Sequence, residues 1–190
     1  FKNNSIDKVY NEIDGLTYKS ITSIDQDINE NLLLGGNGGF TIYRDGTFKT
    51  FNAKNGIPFG YVNTMLVEGT NIWLGTLDGL VLYNGKKFRV YTDEDGLINP
   101  WINRIRKGPD GKIWIATNGG LSIFDGSNFS QLWVIDGLPN SQINDIYFDK
   151  LGNSIISTAG GVMKYNGKTF VRLDPKSENY NFELNTGMEI

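Results

Sequence analysis

Short apolar runs recur along the chain, and glycine, asparagine or aspartate bounds each of them. Between residues 96 and 132 the runs are four to six residues long: Trp101–Ile105, Lys112–Thr117, Leu121–Phe124 and Phe129–Leu132. They are rich in β-branched and aromatic residues, and Asp-Gly or Asn-Gly-Gly turns separate them. This pattern is typical of short antiparallel strands. Because the runs leave no room for an amphipathic helix, we predict an all-β chain.

The same order of strands and turns occurs four times along the sequence. The glycines that open the units are Gly15, Gly56, Gly96 and Gly137, with steps of 41, 40 and 41 residues. The glycines in the middle of the units are Gly39, Gly79, Gly120 and Gly161, with steps of 40, 41 and 41 residues. A period of about 40–45 residues with four short strands per unit predicts the blades of a β-propeller.

We therefore predict a single all-β propeller segment over residues 1–190, with four complete four-stranded antiparallel blades and a partial blade at each end. The complete blades are expected at residues 14–51, 52–92, 93–132 and 133–173, with first strands that begin near residues 20, 61, 101 and 142. Residues 1–13 should be a partial blade, because Tyr10 and Tyr91 both lie five residues before an opening glycine. Residues 174–190 should be a partial blade or a tail, with Tyr180–Leu184 as a further first strand.

A row of blades with open ends exposes an apolar face at each end. Three partners could cover these faces. The chain could be a segment of a larger ring with further blades, the ring could close within the chain, or a second copy of the chain could complete it. The sequence alone leaves these alternatives open.

The composition of the chain excludes several classes of partner and of chemistry. The 190 residues carry a net charge of −3 and have no run of basic residues, so we expect no nucleic-acid partner. No stretch approaches the ~20 apolar residues of a membrane span. The chain contains neither cysteine nor histidine, which removes thiol chemistry, the commonest general base and the commonest metal ligand. We predict no catalytic residues, no metal and no cofactor, and hence a domain that is not an enzyme.

Some repeated residues are expected to be structural. Trp73 and Trp114 should fill the wedge between neighbouring blades, since an aromatic ring buries about 150–250 Å². We assign structural roles also to the residues that end the second strand and begin the third: Thr76, Thr117, Gly79, Gly120 and Gly161. Asp93–Asp95 is interpreted as a solvated loop, and the Asp25 and Asp27 region lacks the calcium-loop pattern.

Candidate ligand-binding residues flank the first strand of each unit. The apolar residue there is Ile21, Val62, Ile102 or Ile143, whereas the residue before it varies from serine to tryptophan. Variation beside a fixed apolar position favours a recognition surface, and alternation would turn the residues on both sides toward the central channel. The predicted set is Tyr18, Phe59, Tyr61, Asn63, Trp101, Asn103, Arg104, Gln142 and Asn144. Packing of Trp101 on a neighbouring blade, and binding of channel water by the asparagines, remain alternatives.

The segments NIWLGTLDGLVLYNGKKFRVYTDEDGL and GKIWIATNGGLSIFDGSNFSQL resemble the two-component regulator propeller repeat. The resemblance covers residues 14–173, although the first and fourth units lack the tryptophan. It implies a large propeller, typically of seven blades, in the extracytoplasmic sensor of hybrid histidine kinases of Bacteroidetes. A carbohydrate or oligosaccharide ligand and a periplasmic or cell-envelope location follow from it, with membrane contact only through segments outside this chain.

Two other classes of function remain. A protein-binding scaffold of the cell envelope would use the same surface without sugars. A propeller lyase or glycosidase would need a poised acid and base, and the pair of carboxylates ~5–9.5 Å apart that glycoside hydrolysis requires cannot be picked out. We therefore favour the carbohydrate-sensing module.

Overall fold

The chain folds into four antiparallel sheets of four strands each in a computed structural model, which describes residues 8–173 except 17, 19, 56, 58 and 59. The first two sheets contain β1 (Ile21–Gln26), β2 (Leu32–Gly36), β3 (Gly39–Arg44), β4 (Thr47–Phe51), β5 (Val62–Glu68), β6 (Asn71–Thr76), β7 (Leu80–Tyr83) and β8 (Phe88–Tyr91). The other two contain β9 (Ile102–Lys107), β10 (Ile113–Thr117), β11 (Leu121–Phe124), β12 (Phe129–Leu132), β13 (Ile143–Phe148), β14 (Ser154–Thr158), β15 (Gly161–Tyr165) and β16 (Phe170–Arg172).

Each sheet is a blade whose strands pair in sequence order, and successive blades stand side by side. The first strand of each blade packs against the first strand of the next, so that β1, β5, β9 and β13 are the inner strands. The predicted propeller fold with four four-stranded antiparallel blades is confirmed. Residues 174–190, with the predicted strand Tyr180–Leu184, lie outside the described residues.

The loops that lead into the blades contain the helical structure of the described part. Each has a single 3₁₀ turn, at Glu12–Asp14, Ala53–Asn55, Asp93–Asp95 and Val134–Asp136. The pattern of apolar runs did not predict these turns. Among the described residues no helix is long and apolar enough to cross a membrane.

Three apolar cores lie between successive blades. In the core between the first and second blades, Leu33 and Phe40 are fully buried against Val62 and Leu74. Trp73 belongs to the second core and Trp114 to the third, and their side chains are 4% and 6% exposed. Large aromatic rings therefore fill two of the wedges, and leucine takes the same position in the first blade.

The first blade has an apolar face that no preceding blade covers within the described residues. Ile21, Ile24 and Leu32 are 39%, 66% and 38% exposed. The residues at the same positions of the second blade, Val62, Met65 and Ile72, are at most 7% exposed because they pack on the first blade. The first blade thus presents the same surface that the later blades bury.

Tyr10 covers the outer part of this face. Its ring centroid lies 5.2 Å from that of Tyr43 and 5.5 Å from that of Phe48. Phe51 makes the same contacts with the corresponding rings of the second blade, at 5.3 and 5.5 Å. Tyr10 therefore packs as the last residue of a blade's outermost strand does in the next junction.

The turn between the second and third strands is built identically in three blades. In the second blade the Thr76 hydroxyl donates to the carbonyl of Gly79 at 2.8 Å and accepts from the amide of Asp78 at 3.1 Å. Thr117 with Gly120, and Thr158 with Gly161, repeat this arrangement. The turns fix the ends of the strands on the same side as the inter-blade loops.

Candidate functional site

Each inner strand contains a β-bulge at its second residue. In the second blade Val62 pairs with Thr76 and Thr64 pairs with Gly75, so Asn63 has no residue opposite it. The extra residues of the other inner strands are Thr22, Asn103 and Asn144. A bulge interrupts the alternation of side chains and changes the direction of the extra one. The strict alternation predicted for the inner strands therefore does not hold at this position.

The side chains at the bulges join neighbouring blades. Asn63 Nδ2 donates to the backbone carbonyl of Ile102 at 3.0 Å, and Asn103 Nδ2 donates to that of Ile143 at 2.8 Å. The Thr22 hydroxyl donates to the carbonyl of Val62 at 2.5 Å. Asn63 and Asn103 are half-buried and already hold the blades together, whereas Asn144 is exposed. A role of these residues in ligand binding stays a prediction.

Trp101 presents an open ring beside the inner strand of the third blade. Its side chain is 48% exposed, in contrast to the buried Trp73 and Trp114. Its backbone is held on both sides, because its amide donates to Asn99 Oδ1 at 3.0 Å and its carbonyl accepts from the Asn118 amide at 3.1 Å. The ring therefore stands on a fixed backbone with much of its surface open.

Gln142 occupies the same position one blade later. Its amide donates to Asn140 Oδ1 at 2.8 Å, its carbonyl accepts from the Ala159 amide at 3.0 Å, and its side chain is exposed. Tyr61 is half-buried and forms an antiparallel bridge with Asn37 of the first blade. The variable positions of the third and fourth blades thus share one backbone arrangement.

Tyr18 and Phe59 are the two remaining aromatic candidates. Tyr18 is half-buried, and its hydroxyl accepts from Asn52 Nδ2 at 3.3 Å. Its ring lies so close to Gly38 that a Cβ there would be 2.1 Å from it. Phe59 lies outside the described residues. Tyr18 therefore packs on the first blade, two blades away from Trp101.

A charged cluster lies on the inner strands of the third and fourth blades. Arg106 Nε and Nη2 donate to the two carboxylate oxygens of Asp145 at 3.3 and 3.2 Å. Arg104 Nε lies 3.4 Å from the same carboxylate, without the geometry of a hydrogen bond. Two guanidinium groups face one carboxylate, so the cluster carries a net positive charge.

Sequence reasoning missed Arg106 and Asp145. The available signal was the spacing of 39 residues between opposite charges, which also separates Glu68 from Lys107, a second ion pair across blades. In a repeat of 40 or 41 residues, such a spacing places two side chains on neighbouring inner strands.

Two aspartates of the loops that lead into the blades have structural roles. Asp95 Oδ2 accepts from the Thr92 amide at 3.0 Å and closes the 3₁₀ turn of Asp93–Asp95. Asp14 does the same for Asn11, and the amide of Asn11, followed by the ammonium of Lys8, lowers the pKa of Asp14. Within the described ranges, histidine, cysteine, aspartate and glutamate form no group of three that could hold a metal ion.

A cavity of about 310 Å³ lies at the opposite ends of the first two blades. Hairpin residues line it, including Asp27, Asn29, Asn84 and Lys86. Two of these polar side chains already stabilise their own turns, since Asp27 accepts a hydrogen bond from the amide of Asn29 and Asn84 accepts one from that of Lys86. We therefore favour the face that carries Trp101, where aromatic and amide groups are open.

Comparison with known proteins finds one match to a propeller family and several solved structures that share the fold. Residues 90–119 match the family described as two component regulator propeller. No curated protein matches the chain. Among solved structures, the extracellular domain of BT3049 from B. thetaiotaomicron, described as a putative hybrid two component system, is 21% identical with a TM-score of 0.53. The match covers 86% of this chain and 31% of that domain.

Two further structures share the fold at lower identity. PorZ, a surface component of the type-IX secretion system of Porphyromonas gingivalis, is 17% identical over 87% of this chain and 24% of its own, with a TM-score of 0.63. The virginiamycin B lyase of Staphylococcus aureus is 12% identical over 82% of this chain and 56% of its own, with a TM-score of 0.64. The chain spans about a third of the BT3049 domain and about half of the lyase. The resemblance predicted from the repeated motifs is confirmed at residues 90–119, which match the two component regulator propeller family.

Proposed function

We propose that this chain is the ligand-sensing part of an extracytoplasmic sensor and that it binds a carbohydrate or oligosaccharide without transforming it. The observation that carries the proposal is the exposure of Trp101, whose ring is 48% open on a backbone that Asn99 and Asn118 hold in place. A half-exposed tryptophan at a variable position of a repeat is suited to binding rather than to stability.

Other polar groups of the third and fourth blades have the chemistry that a saccharide requires. The flat indole of Trp101 offers an apolar surface for the face of a sugar ring, and the exposed amides of Gln142 and Asn144 can bond its hydroxyls. The cluster of Arg104 and Arg106 with Asp145 adds donors for hydroxyls or for an acidic group. Tyr61 would extend the surface toward the second blade.

The comparisons include a sensor domain, which supports the proposal, and an enzyme that shares the fold. BT3049, which shares the fold, is an extracellular domain of a protein described as a putative hybrid two component system. The virginiamycin B lyase is made catalytically inactive by replacing a histidine with alanine, and this chain contains no histidine. Periplasmic or cell-envelope location is part of the same proposal.

A protein-binding scaffold is the second candidate, and a separate surface favours it. Trp133, Val134 and Ile135, in the loop before the fourth blade, are 45%, 50% and 93% exposed. Consecutive exposed apolar side chains are typical of a protein contact, and PorZ shares the fold.

Calorimetry with neutral and acidic oligosaccharides separates the two candidates. Trp101→Ala should weaken binding by about 1–3 kcal/mol, the loss typical of a central aromatic contact. Trp133→Ala is the matched control, because its ring is equally open and lies on another loop. Equal binding by the wild type and Trp101→Ala would exclude the proposed face. If no glycan binds and capture of a protein depends on Trp133, the scaffold is the better explanation. Chromatography of the recovered glycans should show no new products.

A further inference from the structure

We propose that Arg104 binds an acidic group of the ligand, so that this chain selects an oligosaccharide that carries a carboxylate or a sulfate. The inference deepens the proposed function and rests on it. It is based on a cation of the third inner strand that has no carboxylate of its own.

Arg106 by itself neutralises the charge of Asp145. Its Nε and Nη2 donate to the two carboxylate oxygens at 3.3 and 3.2 Å, and Nε also donates to the carbonyl of Ile146 at 3.2 Å. The carboxylate accepts a further hydrogen bond from the Ile146 amide at 2.8 Å. A carboxylate that both arms of one guanidinium hold is the strongest form of such a pair. The negative charge of Asp145 is therefore balanced before Arg104 is considered.

Arg104 is a second cation beside the same carboxylate. Its Nε lies 3.4 Å from Asp145 Oδ1, but this atom is buried and makes no hydrogen bond. Its two Nη groups also make no hydrogen bond within the described part of the chain. They are not buried, because Nε is the atom of this side chain that is both buried and without a partner. The side chain is 39% exposed, and the donors of both Nη groups are open to a ligand.

The packing of blades does not require a cation at this position. Arg104 lies opposite Ala116, the small residue near the end of the second strand. The residues that lie opposite the corresponding small residue of the other blades are neutral or acidic: Ser23, Thr64 and Asp145. Thr64 is 1% exposed, so the second blade accommodates a small neutral side chain there. The repeat therefore does not explain the charge of Arg104.

The excess positive charge is local to the junction of the third and fourth blades. In the preceding junction one cation, Lys107, pairs with one carboxylate, that of Glu68. Here two guanidinium groups share one carboxylate, although the whole chain has a net charge of −3. The two like charges repel each other, and an anion bound to Arg104 would offset this repulsion. The junction is thus suited to an anion in a protein that is acidic overall.

The shape of the guanidinium group indicates which anions fit. Its N–H donors form a flat fork that matches two oxygens of a carboxylate or of a sulfate. In an oligosaccharide these groups are the carboxylate of a uronic acid and a sulfate ester. Both sources have the same chemistry at Arg104, and the experiment has to distinguish them.

Calorimetry with matched ligands tests the inference on the full chain. One pair is an oligogalacturonide and its methyl ester, and the other is a sulfated galacto-oligosaccharide and its unsulfated form. In at least one pair the anionic ligand should bind about tenfold more tightly than the neutral one at low salt, as expected for a charge-assisted hydrogen bond. The preference should shrink at high salt, because the site is partly exposed. The pair that shows the preference identifies the acidic group.

Three variants assign the preference to Arg104. Arg104→Gln should abolish it, whereas Lys87→Gln should retain it. Lys87 is exposed on the outer hairpin of the second blade, and its replacement changes the net charge equally. Asp145→Asn should strengthen binding of the anionic ligand several-fold, because it leaves two guanidinium groups without a counter-charge. A purely structural role of the cluster would instead weaken binding in both Arg104→Gln and Asp145→Asn.

The outcomes separate this inference from the proposed function. If the neutral and anionic members of both pairs bind equally, Arg104 selects no anion, and the saccharide-binding function stands. Inorganic sulfate alone is the third probe. If sulfate binds in a manner that Arg104→Gln abolishes and no saccharide binds, the anion site stands and the saccharide function fails. If neither the saccharides nor sulfate bind, both are overturned.

Discussion

Asn103 Nδ2 donates to the backbone carbonyl of Ile143 at 2.8 Å, across forty residues of sequence and from one blade to the next. The same Nδ2 donates to Asn118 Oδ1 at 2.8 Å, at the turn of its own blade. One amide group therefore couples an inner strand, a turn and the following blade. Because the bond leaves from a β-bulge, it is available only where the strand departs from regular pairing.

Replacing this amide should destabilise the propeller without altering its surface. Asn103→Ala leaves the Ile143 carbonyl and the Asn118 amide oxygen without their donor, and we expect a loss of about 1–3 kcal/mol in the free energy of unfolding. Gln142→Ala is the control, since its side chain is exposed and should change stability by less than about 0.5 kcal/mol. Urea unfolding followed by tryptophan fluorescence measures both. Equal losses would show that the bond between blades contributes nothing.

The two exposed and two buried tryptophans should respond differently to truncation. Trp114 is 6% exposed and packs against Phe148 at 5.3 Å between ring centroids, so Trp114→Ala should cost about 3–5 kcal/mol. Trp133→Ala, at 45% exposure, should cost less than about 0.5 kcal/mol. Denaturant titration of the two variants gives the comparison. A loss below about 1 kcal/mol for Trp114→Ala would contradict its role as a wedge between blades.

Gly79 and Gly85 both have a left-handed backbone, and comparing their alanine variants distinguishes backbone strain from steric crowding. Gly79 has φ of +135°, and a Cβ there would lie 2.6 Å from the carbonyl oxygen of Tyr91. Gly85 has φ of +85°, and a Cβ there would meet no atom within 4 Å among the described residues. Gly85→Ala should cost about 1–2 kcal/mol for the backbone alone, and Gly79→Ala should cost clearly more. Thermal unfolding of both variants measures the two losses of stability. Similar losses would mean that the turn near Tyr91 can relax.

Stability should fall in acid, with a contribution from Asp149. Burial opposes ionisation of this carboxyl, but hydrogen bonds from the Asn153 side chain and from the amides of Asn153 and Leu151 outweigh it and lower its pKa from the ordinary value. A lowered pKa in the folded state stabilises the fold above the unfolded value, and this stabilisation is lost as the pH falls through the folded value.

Asp149→Asn should therefore destabilise the protein near pH 7, and the difference from wild type should shrink at acid pH, as the pH falls through the folded pKa of Asp149. Asp78→Asn is the control, because Asp78 is exposed and its carboxylate accepts no hydrogen bond within the described part of the chain. Urea unfolding at the two pH values measures the effect. A difference that stays constant with pH would assign the loss to geometry rather than to charge.

Local chemistry made much of the fold predictable. Asp-Gly and Asn-Gly turns and alternating apolar residues determine the structure of about ten neighbouring residues. In a repeat these signals occur in each of the four units. The prediction of the inner strands was therefore accurate to one residue. These strands begin at Ile21, Val62, Ile102 and Ile143. The buried positions of Trp73 and Trp114 followed from the same pattern.

The candidate site was less predictable, because its side chains depend on the neighbouring blade. Asn63 and Asn103, at the bulges, donate to acceptors on the next inner strand, about forty residues away in sequence. The pairing of Arg106 with Asp145 also needs two blades in contact.

The sequence by itself determined the repeat, the number and order of the strands and the positions of the turns, because these depend on contacts close along the chain. Only the tertiary structure decided that Trp101 stays open, because the sequence left its packing on a neighbouring blade as an alternative. The physical reason is that exposure depends on the surface that the adjacent blade offers. For Trp114 that surface is the aromatic side of the fourth blade, where Phe148 meets its ring. Trp101 stands one residue before its inner strand, and 48% of its side chain remains in solvent.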